Sequence, residues 1–510
     1  MVNYSSDGVG RDGHGIWIST PTMKRGLILL VILLVAIFFR TFQIVERFEF
    51  AHDGDLYSWI VKDIVVDYHP RLIGQLTTAN GIFIGPLFYY ILAPFFILTN
   101  MDPVGALIPI TLLGMLTVFS YYWVFARLFN QTTGLLGAFV QAVLISPVIF
   151  DRAVVPSTPT TIWSVWYFYV VLNLVRGNFK VLPILAVLIA LIWHIHIALA
   201  PALLAVTLAI ILSKRLPSAK QMGIFAGLTL ILSLPLLVFE FRHHFSQTFS
   251  FIKNLGLDYG GGVGWEKLNL ILVKVGRNIT RLFLYPQAIN ESSWRAWLFI
   301  ILLPLIPIVR SKILAPKEAI VLLIWIASVF GFYTFSSTVL SEYYFTNIEV
   351  IFMAIVSILL YFIFKSSNFG KIVVLGLLSV VLVKNLYFLI TQDIYKKGYL
   401  ERKSVAAFIT KDAEEKGLPC VAVSYITPPG EDVGFRYFFY LNKLHVNQPK
   451  SGSPVYTIVF PTELAPDDIK ARYGQIGVIL PKDIYSKDQI KVSCSGQNAN
   501  LTDPLFGYTE

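Results

Sequence analysis

The stretch from Leu27 to Tyr57, LILLVILLVAIFFRTFQIVERFEFAHDGDLY, joins a long apolar run to an acidic cluster. The apolar run follows Lys24 and Arg25 and has no small-residue cleavage site before Arg40, so we expect an uncleaved membrane anchor. Carboxylates beside a membrane are tolerated where water reaches them. The cluster Asp53-Gly54-Asp55 therefore marks either a solvated loop or a site that needs a base or a metal ligand.

The composition of the whole chain sets its class. Of 510 residues, 55% are hydrophobic and only 14% are charged, whereas about a quarter are charged in ordinary soluble domains. Apolar runs long enough to cross about 30 Å of hydrocarbon recur between Leu27 and Ile390. We expect an α-helical polytopic membrane protein with about eleven spanning helices and additional juxtamembrane or re-entrant elements.

The last part of the chain, residues 391–510, has a different composition, rich in Lys, Asp, Glu, Pro and Gly. Three short runs in it are typical of β-strands, namely Val421 to Ile426, Tyr456 to Phe460 and Ile476 to Leu480. This pattern predicts a small soluble α/β domain of about 120 residues. Both cysteines of the chain, Cys420 and Cys494, lie in it, and a disulfide between them is allowed if the domain lies outside the cell.

Basic residues predict the orientation of the helices, because Lys and Arg collect in cytoplasmic loops. We place residues 1–26 in the cytoplasm. All the basic loops then fall on the cytoplasmic side only if Gly81 to Thr99 does not cross the membrane. Two prolines interrupt this segment, so we expect a broken, re-entrant or surface-lying element. These loops are Arg127, Arg176 to Lys180, Lys214 to Lys220, Arg310 to Lys317 and Lys365 to Lys371. By the same rule, Val181 to Leu212 crosses and returns, with its turn at Trp193 to His196.

In this arrangement residues 27–390 form the membrane domain, and the outer face carries two large loops, 46–102 and 241–294, together with the C-terminal domain. The polar residues collected on that face are Asp53, Asp55, Arg71, Asp151, Arg152, His194, His196, Arg242, His243, His244 and Glu342. The net charge of +10 does not indicate nucleic-acid binding, because no basic patch interleaved with aromatic residues occurs. An outward site of carboxylates, arginines and histidines beside lipid suits an enzyme that acts on an anionic lipid headgroup.

Four motifs in the first third of the chain support this interpretation. They are Asp53-Gly54-Asp55-Leu56-Tyr57, Pro86-Leu87-Phe88-Tyr89-Tyr90, Ala126-Arg127-Leu128-Phe129 and Phe150-Asp151-Arg152-Ala153. In order and spacing they resemble motifs of the membrane-embedded GT-C glycosyltransferases, in particular the branch of protein O-mannosyltransferases and lipid A aminoarabinose transferases. The resemblance covers Leu27 to Asn178 by motif and the remainder by topology.

The resemblance implies a polyprenyl-phosphate-linked sugar as donor and a lipid, glycan or protein as acceptor. Asp53 would be the base that activates an acceptor hydroxyl for attack on the anomeric carbon, with inversion. Two positions depart from the family: Gly54 replaces a Glu, with Asp55 next to it as a substitute, and Gly85 replaces a Lys near the phosphate. Phosphate contact then falls to Arg71, Arg152, Arg242 or His243. The other residues expected to contact substrate or to act as a second acid are Asp55, Tyr57, Asp151, His194, His196 and Glu342.

Metal use is left open by the sequence. Asp53 and Asp55 with Asp151 form one candidate divalent-metal site, and a metal-independent reaction is the alternative. Simpler roles exist for most of these residues. Asp53 and Asp55 can cap the following helix, Asp151-Arg152 can form a plain ion pair, and His194 and His196, two residues apart, suit an interface better than a shared metal. Arg242-His243-His244 can anchor a helix end, and Glu342-Tyr343-Tyr344 can belong to an aromatic belt.

The favoured function is an outward-facing glycosyltransferase of the plasma or inner membrane, with its active site and C-terminal domain extracytoplasmic. A transporter or flippase for polyprenyl-linked glycans is the alternative. It would need polar groups near the bilayer midplane and two related halves, and the apolar segments show neither. A third hypothesis is a non-catalytic scaffold whose C-terminal domain binds a partner. The glycine-rich stretch Asp258 to Gly264 is interpreted as a flexible loop over the outer site, and substrate presentation is a hypothesis for the C-terminal domain.

Overall fold

A computed structural model describes residues 23–502 apart from 78, 80, 255–256, 285–312, 395 and 483–484. The chain is mostly helical, with a small sheet near its C-terminus. The helices that precede residue 285 are α1 Met23–Thr41, α2 His52–Val65, α3 Leu87–Leu98, α4 Leu107–Leu128, α5 Gln131–Val143, α6 Ile145–Phe150, α7 Thr160–Val175, α8 Leu182–Ile195, α9 Leu204–Ser213, α10 Ala219–Leu232, α11 Leu234–Arg242, α12 Ser246–Asn254 and α13 Trp265–Leu284. Three more bundle helices follow the gap: α14 Pro316–Phe335, α15 Glu349–Ser366 and α16 Asn368–Thr391.

Within the described residues, four helical stretches are long and apolar enough to cross a membrane. They are Pro103–Leu128, Pro316–Phe335, Glu342–Ser366 and Asn368–Thr391. The pair α10 and α11, bent by 60°, adds a fifth if it is counted as one span. The prediction of a membrane protein is thus supported, whereas the predicted number of about eleven spans is not confirmed, because several apolar segments fold as helices of 10–17 residues.

Two predicted interruptions occur where the sequence placed them. Within Gly81 to Thr99 only Leu87–Leu98 is helical, about 18 Å long at 1.5 Å per residue and too short to span a bilayer. In Val181 to Leu212, α8 ends at Ile195 and His196 has an extended backbone. The 3-10 helix Ile197–Leu203 then leads into α9. Both segments are therefore broken elements, as expected from their prolines and polar turn residues.

The helices pack around an aromatic core. Tyr167 of α7 stacks on Trp163 with ring centroids 4.6 Å apart and meets the ring of Trp325 of α14 edge-on at 4.7 Å. The indole nitrogen of Trp325 donates to the side-chain oxygen of Asn347 at 3.0 Å, which satisfies a polar group that would otherwise be buried without a partner. This contact fixes the connection between α14 and α15 against the bundle.

The C-terminal unit is an α/β structure with a five-stranded sheet in the order β2-β1-β3-β5-β4. Its elements are α17 Tyr399–Glu415, β1 Val421–Ile426, α18 Arg436–Leu441, β2 Val446–Asn447, β3 Val455–Val459, β4 Ala471–Tyr473, β5 Ile476–Ile479, α19 Lys487–Ser493 and α20 Ala499–Thr502. Strand β1 pairs in parallel with β2 and β3, and β5 pairs antiparallel with β3 and β4. The three predicted strands are confirmed, and Cys420 and Cys494 form a disulfide with Cα atoms 5.5 Å apart.

This C-terminal unit packs against the loop of residues 46–102 rather than standing apart from it. Phe50, before α2, contacts the ring of Phe438 of α18 at 4.8 Å, and Trp59 of α2 contacts the ring of Tyr440 at 5.2 Å. The hydroxyl of Tyr399 donates to the Asp102 carboxylate at 2.7 Å. One hydrophobic core therefore includes α2, α3 and the sheet unit.

Candidate active site

Asp53 lies in the first turn of α2 and is half-buried. Its carboxylate makes no hydrogen bond or ion pair with any residue that the structure describes. The residue that caps α2 is Ala51, with no side-chain cap bond, so the sequence-based alternative of Asp53 as helix cap is not what the structure shows. The positive end of the α2 dipole attracts the negative charge of this carboxylate.

Gly54 has a steric reason to lack a side chain. A Cβ atom there would lie 2.6 Å from Cδ2 of Phe50, whose ring is 1% exposed. The Glu of the related motif therefore has no room at this position, because the same space holds the aromatic ring that contacts the C-terminal unit.

Asp55 points away from Asp53, since residues two apart on a helix lie on nearly opposite sides. Its carboxylate accepts a 2.9 Å hydrogen bond from the backbone N–H of Tyr437. The side chain is 6% exposed, and burial raises the pKa of Asp55 to about 6, partly offset by that hydrogen bond and by Arg436. The predicted substitute acid is thus engaged by the C-terminal unit.

Tyr343 lies within electrostatic reach of the Asp53 carboxylate. The Tyr343 hydroxyl lies 3.4 Å from Nε2 of His196, and Nδ1 of the same imidazole accepts from the N–H of Ala198 at 3.0 Å. In a neutral imidazole the hydrogen must then reside on Nε2, which donates to Tyr343. The structure therefore brings the predicted residues Asp53 and His196 to one region through Tyr343. The sequence favours an aromatic belt for the stretch that contains Tyr343, with a position facing the sugar as the alternative.

His194 occupies the space beside Gly85. A Cβ atom on residue 85 would clash with Nδ1 of His194, and the N–H of Gly85 donates to the carbonyl of Trp193 at 2.7 Å. The same imidazole nitrogen accepts from the N–H of Leu87 at 3.4 Å. The absence of the Lys found in relatives thus has a packing explanation: a histidine from α8 fills its place.

Arg71 is a cationic candidate that shares a neighbour, Tyr89, with Asp53. Tyr89 is within electrostatic reach of both Asp53 and Arg71, and its hydroxyl donates to Gln75 at 3.1 Å. The Nε atom of Arg71 donates to Asp63 of α2 at 2.5 Å, which orients the guanidinium. Arg71 is 8% exposed, so it is held in place rather than solvated.

Asp151 and Arg152 have structural partners in the bundle. Asp151 forms a 2.6 Å ion pair with Arg40 of α1, and both side chains are almost fully buried. Arg152 donates to the backbone carbonyls of Phe39 and Phe42 at the end of α1. The sequence-based alternative of an Asp151–Arg152 ion pair is wrong, because the carboxylate is paired with an arginine from another helix. The sequence signal for the Arg40–Asp151 pair was Arg40 itself, a lone arginine at the end of the first apolar segment.

Of the remaining predicted residues, Arg242, His243 and Glu342 lie at the surface, whereas Tyr57 is buried. Arg242 is exposed at the end of α11, and His243 stacks on Phe239 with ring centroids 4.1 Å apart. Glu342 pairs with Arg281 at 3.1 Å, with both side chains about half exposed. The hydroxyl of Tyr57 is buried, with no hydrogen-bond partner in the described part of the chain. Residues 285–294 of the second outer loop lie outside the described residues.

The predicted carboxylate trio for a metal is not brought together. Asp151 is bound to Arg40 and Asp55 to Tyr437, so neither carboxylate is directed at Asp53. Among the residues that the structure describes, no group of three His, Cys, Asp or Glu side chains is placed to hold a metal ion.

Lys267 is a residue that sequence reasoning missed. Its ammonium group, on a side chain 3% exposed, donates to four backbone carbonyls. These are the carbonyls of Gly261 at 2.9 Å, Gly262 at 3.2 Å, Ser336 at 3.1 Å and Thr338 at 2.6 Å. The glycine-rich loop is thereby fastened to the segment that leads to Tyr343. Lys267 lies in an amphipathic helix with several basic residues, so nothing in the sequence distinguished it.

An apolar helical bundle, a long loop after the first helix that carries the acidic helix α2, and a small sheet unit packed on that loop together form the GT-C fold of membrane glycosyltransferases. The fold is similar to that of ArnT from Cupriavidus metallidurans bound to undecaprenyl phosphate, with a TM-score of 0.55 and 13% identity over 89% of this chain and 97% of that one. The apo state of the same protein gives the same values.

A second solved structure, the apo oligosaccharyltransferase of Archaeoglobus fulgidus, matches with a TM-score of 0.50 and 13% identity over 86% of this chain and 70% of that one. No protein-family model matches the sequence, and no curated protein matches it. The GT-C resemblance expected from the motifs is thus confirmed at the level of the fold.

Proposed function

We propose that this protein is an integral-membrane glycosyltransferase that transfers a sugar from a polyprenyl-phosphate donor to a lipid, glycan or protein acceptor, with Asp53 as general base. The observation that carries the proposal is the Asp53 carboxylate itself. It is half-buried, has no partner among the described residues, and lies within reach of Tyr343 and Tyr89. By contrast Asp55, Asp63 and Asp151 are all engaged by other side chains or by the backbone.

The reaction follows from general base catalysis. Asp53 takes the proton of the acceptor hydroxyl, and the acceptor oxygen forms a bond to the anomeric carbon from the face opposite the phosphate. The bond between that carbon and the phosphate oxygen breaks, and the polyprenyl phosphate leaves with the electron pair. A single displacement of this kind inverts the anomeric configuration.

Arg71 and His194 are the residues we assign to the phosphate. Arg71 and Asp53 are both within electrostatic reach of Tyr89, and Asp63 orients the Arg71 guanidinium. A guanidinium matches phosphate oxygens in a bidentate way. His194 takes the space beside Gly85, where relatives carry a Lys. Arg152 is a weaker candidate because its guanidinium binds the end of α1.

The contacts between loops support an extracytoplasmic active site. Arg25 donates to Gln131, next to the Arg127 loop, at 2.6 Å, and Arg176 pairs with Glu318 at 2.7 Å. The predicted basic loops thus meet in groups at helix ends, as cytoplasmic loops should. The Cys420–Cys494 disulfide suits an oxidising compartment for the C-terminal unit.

The experiment is the release of free polyprenyl phosphate from a panel of polyprenyl-phospho-sugars by purified protein with mixed acceptors. Wild type is compared with Asp53→Asn, with and without a chelator. Release by wild type that the substitution abolishes supports the proposal, and the chelator arm tests for a metal. Undiminished release by Asp53→Asn would contradict the assignment of the base. No release from any donor would contradict the transferase itself.

The flippase alternative is not favoured, because the structures similar in fold are transferases. No observation on the described residues favours the scaffold hypothesis over an enzyme.

A further inference from the structure

A small cavity lies inside the bundle, between α4, α5, α6, α7, α13 and α15. It has a volume of about 50 Å³, enough for a few water molecules. Its polar lining consists of Tyr121, Gln141, Ser146, Thr161, Thr346 and Glu349. Glu349 begins α15, one turn beyond Thr346 and two turns beyond Tyr343.

The Glu349 carboxylate has no counter-charge in the described structure. It forms no ion pair or hydrogen bond with any residue that the structure describes. The nearby Arg40 donates to the backbone carbonyl of Gln141 at 3.2 Å. Its guanidinium is already bound to Asp151 and to two further backbone carbonyls, so it does not pair with Glu349. Glu349 is partly buried. A carboxylate that loses much of its water without gaining a partner is destabilised, so an arrangement of this kind calls for a bound cation or a proton.

The rest of the lining supplies oxygen atoms without other partners. The hydroxyls of Tyr121, Ser146 and Thr161 make no hydrogen bond with described residues, and Tyr121 is only 1% exposed. One carboxylate with several neutral hydroxyl oxygens is a donor set for hard cations.

We propose that this cavity binds one monovalent alkali cation, with Glu349 as its charged ligand. A single positive charge neutralises the single carboxylate, whereas a divalent ion would leave an uncompensated charge in the bundle. The bound ion joins α15 to α4 and α7 and so stabilises the helix that begins just after Tyr343. The inference is independent of the proposed transferase reaction.

The test is thermal unfolding of the purified full-length chain in detergent, followed by tryptophan fluorescence. Sodium chloride and potassium chloride are titrated against N-methyl-D-glucamine chloride at constant ionic strength, with magnesium chloride as a further arm. For wild type we expect at least one alkali cation to raise the midpoint in a saturable way, on the order of 1–3 °C, because an ion that binds only the folded state stabilises it by mass action. Glu349→Gln should lose the response, and Glu266→Gln, which removes an exposed carboxylate, should retain it.

Three results would overturn the proposal: equal midpoints in alkali and organic cations, an unchanged response in Glu349→Gln, or a response to magnesium alone. If Glu349→Gln does not fold, Tyr121→Phe takes its place, since it removes one oxygen ligand and no charge. It should raise the half-saturating cation concentration several-fold, and an unchanged value would equally refute the site.

Discussion

The Asp55 carboxylate accepts a 2.9 Å hydrogen bond from the backbone N–H of Tyr437, 382 residues further along the chain. The helix that carries Asp53 is therefore bonded directly to the C-terminal sheet unit. Phe50 and Trp59 pack on the same unit, before and after the acidic cluster. Docking of the C-terminal unit thus fixes the position of the candidate base, which gives that unit a structural role beside the hypothesis of substrate presentation.

Asp53→Asn should lower the rate of polyprenyl phosphate release by at least about a hundredfold, since a positioned general base contributes roughly 10²–10⁴-fold. The thermal midpoint should stay unchanged because the carboxylate has no described partner to lose. Asp67→Asn is the matched control: Asp67 follows the end of the same helix, is 41% exposed and pairs with Lys62. It should retain wild-type release, and a comparable loss there would indicate a general effect of charge on α2.

Stability should fall as pH rises through the titration of Asp55. Burial raises the pKa of Asp55 from 3.8 to about 6. Below pH ~4 the carboxyl is protonated in both the folded and unfolded states. Above pH ~6 it is ionised in both, and the folded state then bears a cost on the order of 3 kcal/mol. The stability that the protonated Asp55 carboxyl provides is therefore fully present below pH ~4 and is lost as pH rises through about 6.

Asp55→Asn keeps an oxygen that can accept the Tyr437 N–H and cannot ionise. It should unfold at a higher temperature than wild type at pH 7 and at nearly the same temperature at pH 4. The test is to measure the thermal unfolding midpoints of wild type and Asp55→Asn at several pH values between 4 and 7. A difference between the two proteins that does not change with pH would show that Asp55 titrates normally.

Gly54→Ala should destabilise the protein by about 1–3 kcal/mol through overpacking against Phe50, despite the better helix propensity of Ala. Adding Phe50→Leu should recover part of that loss, because the shorter side chain makes room for the new methyl group. Chemical unfolding of both single variants and the double variant measures the coupling. Strictly additive losses would mean that the ring and the glycine do not share space.

Lys267→Met should release the glycine-rich loop from the segment before Tyr343, because four carbonyls lose their common donor. We expect faster proteolysis within residues 258–264 and a higher KM for the donor, with the fold retained. Lys274→Met, a change to a partly buried lysine on the same helix, serves as control. Equal protease sensitivity of the two variants would show that Lys267 does not restrain the loop.

Gly85→Lys should abolish donor binding on its own, because any Cβ at this position clashes with His194. Combined with His194→Ala, the lysine gains the vacated space and should restore binding of polyprenyl phosphate at least in part. Affinity for polyprenyl phosphate, measured for wild type, both single variants and the double variant, provides the test. If the double variant binds no better than His194→Ala alone, position 85 does not face the phosphate.

Much of the architecture was predictable because hydropathy and strand patterns are properties of neighbouring residues. The strand Val421–Ile426 has the bounds that the sequence predicted, and the breaks before Leu87 and at His196 fall where prolines and polar residues interrupt apolar runs. The number of spans was less predictable, because an apolar segment of about 15 residues folds either as part of a span or as a short helix inside the bundle.

The sequence alone determined the membrane class, the small α/β unit and the choice of Asp53 as the residue to test. Only the tertiary structure decided which charges are engaged: Asp151 is paired with Arg40, 111 residues away, and Asp55 with the backbone of Tyr437. It also showed that His194 fills the space beside Gly85. The physical reason is that hydrophobicity and periodicity act locally along the chain, whereas the partner of a buried charge depends on which distant helices pack together.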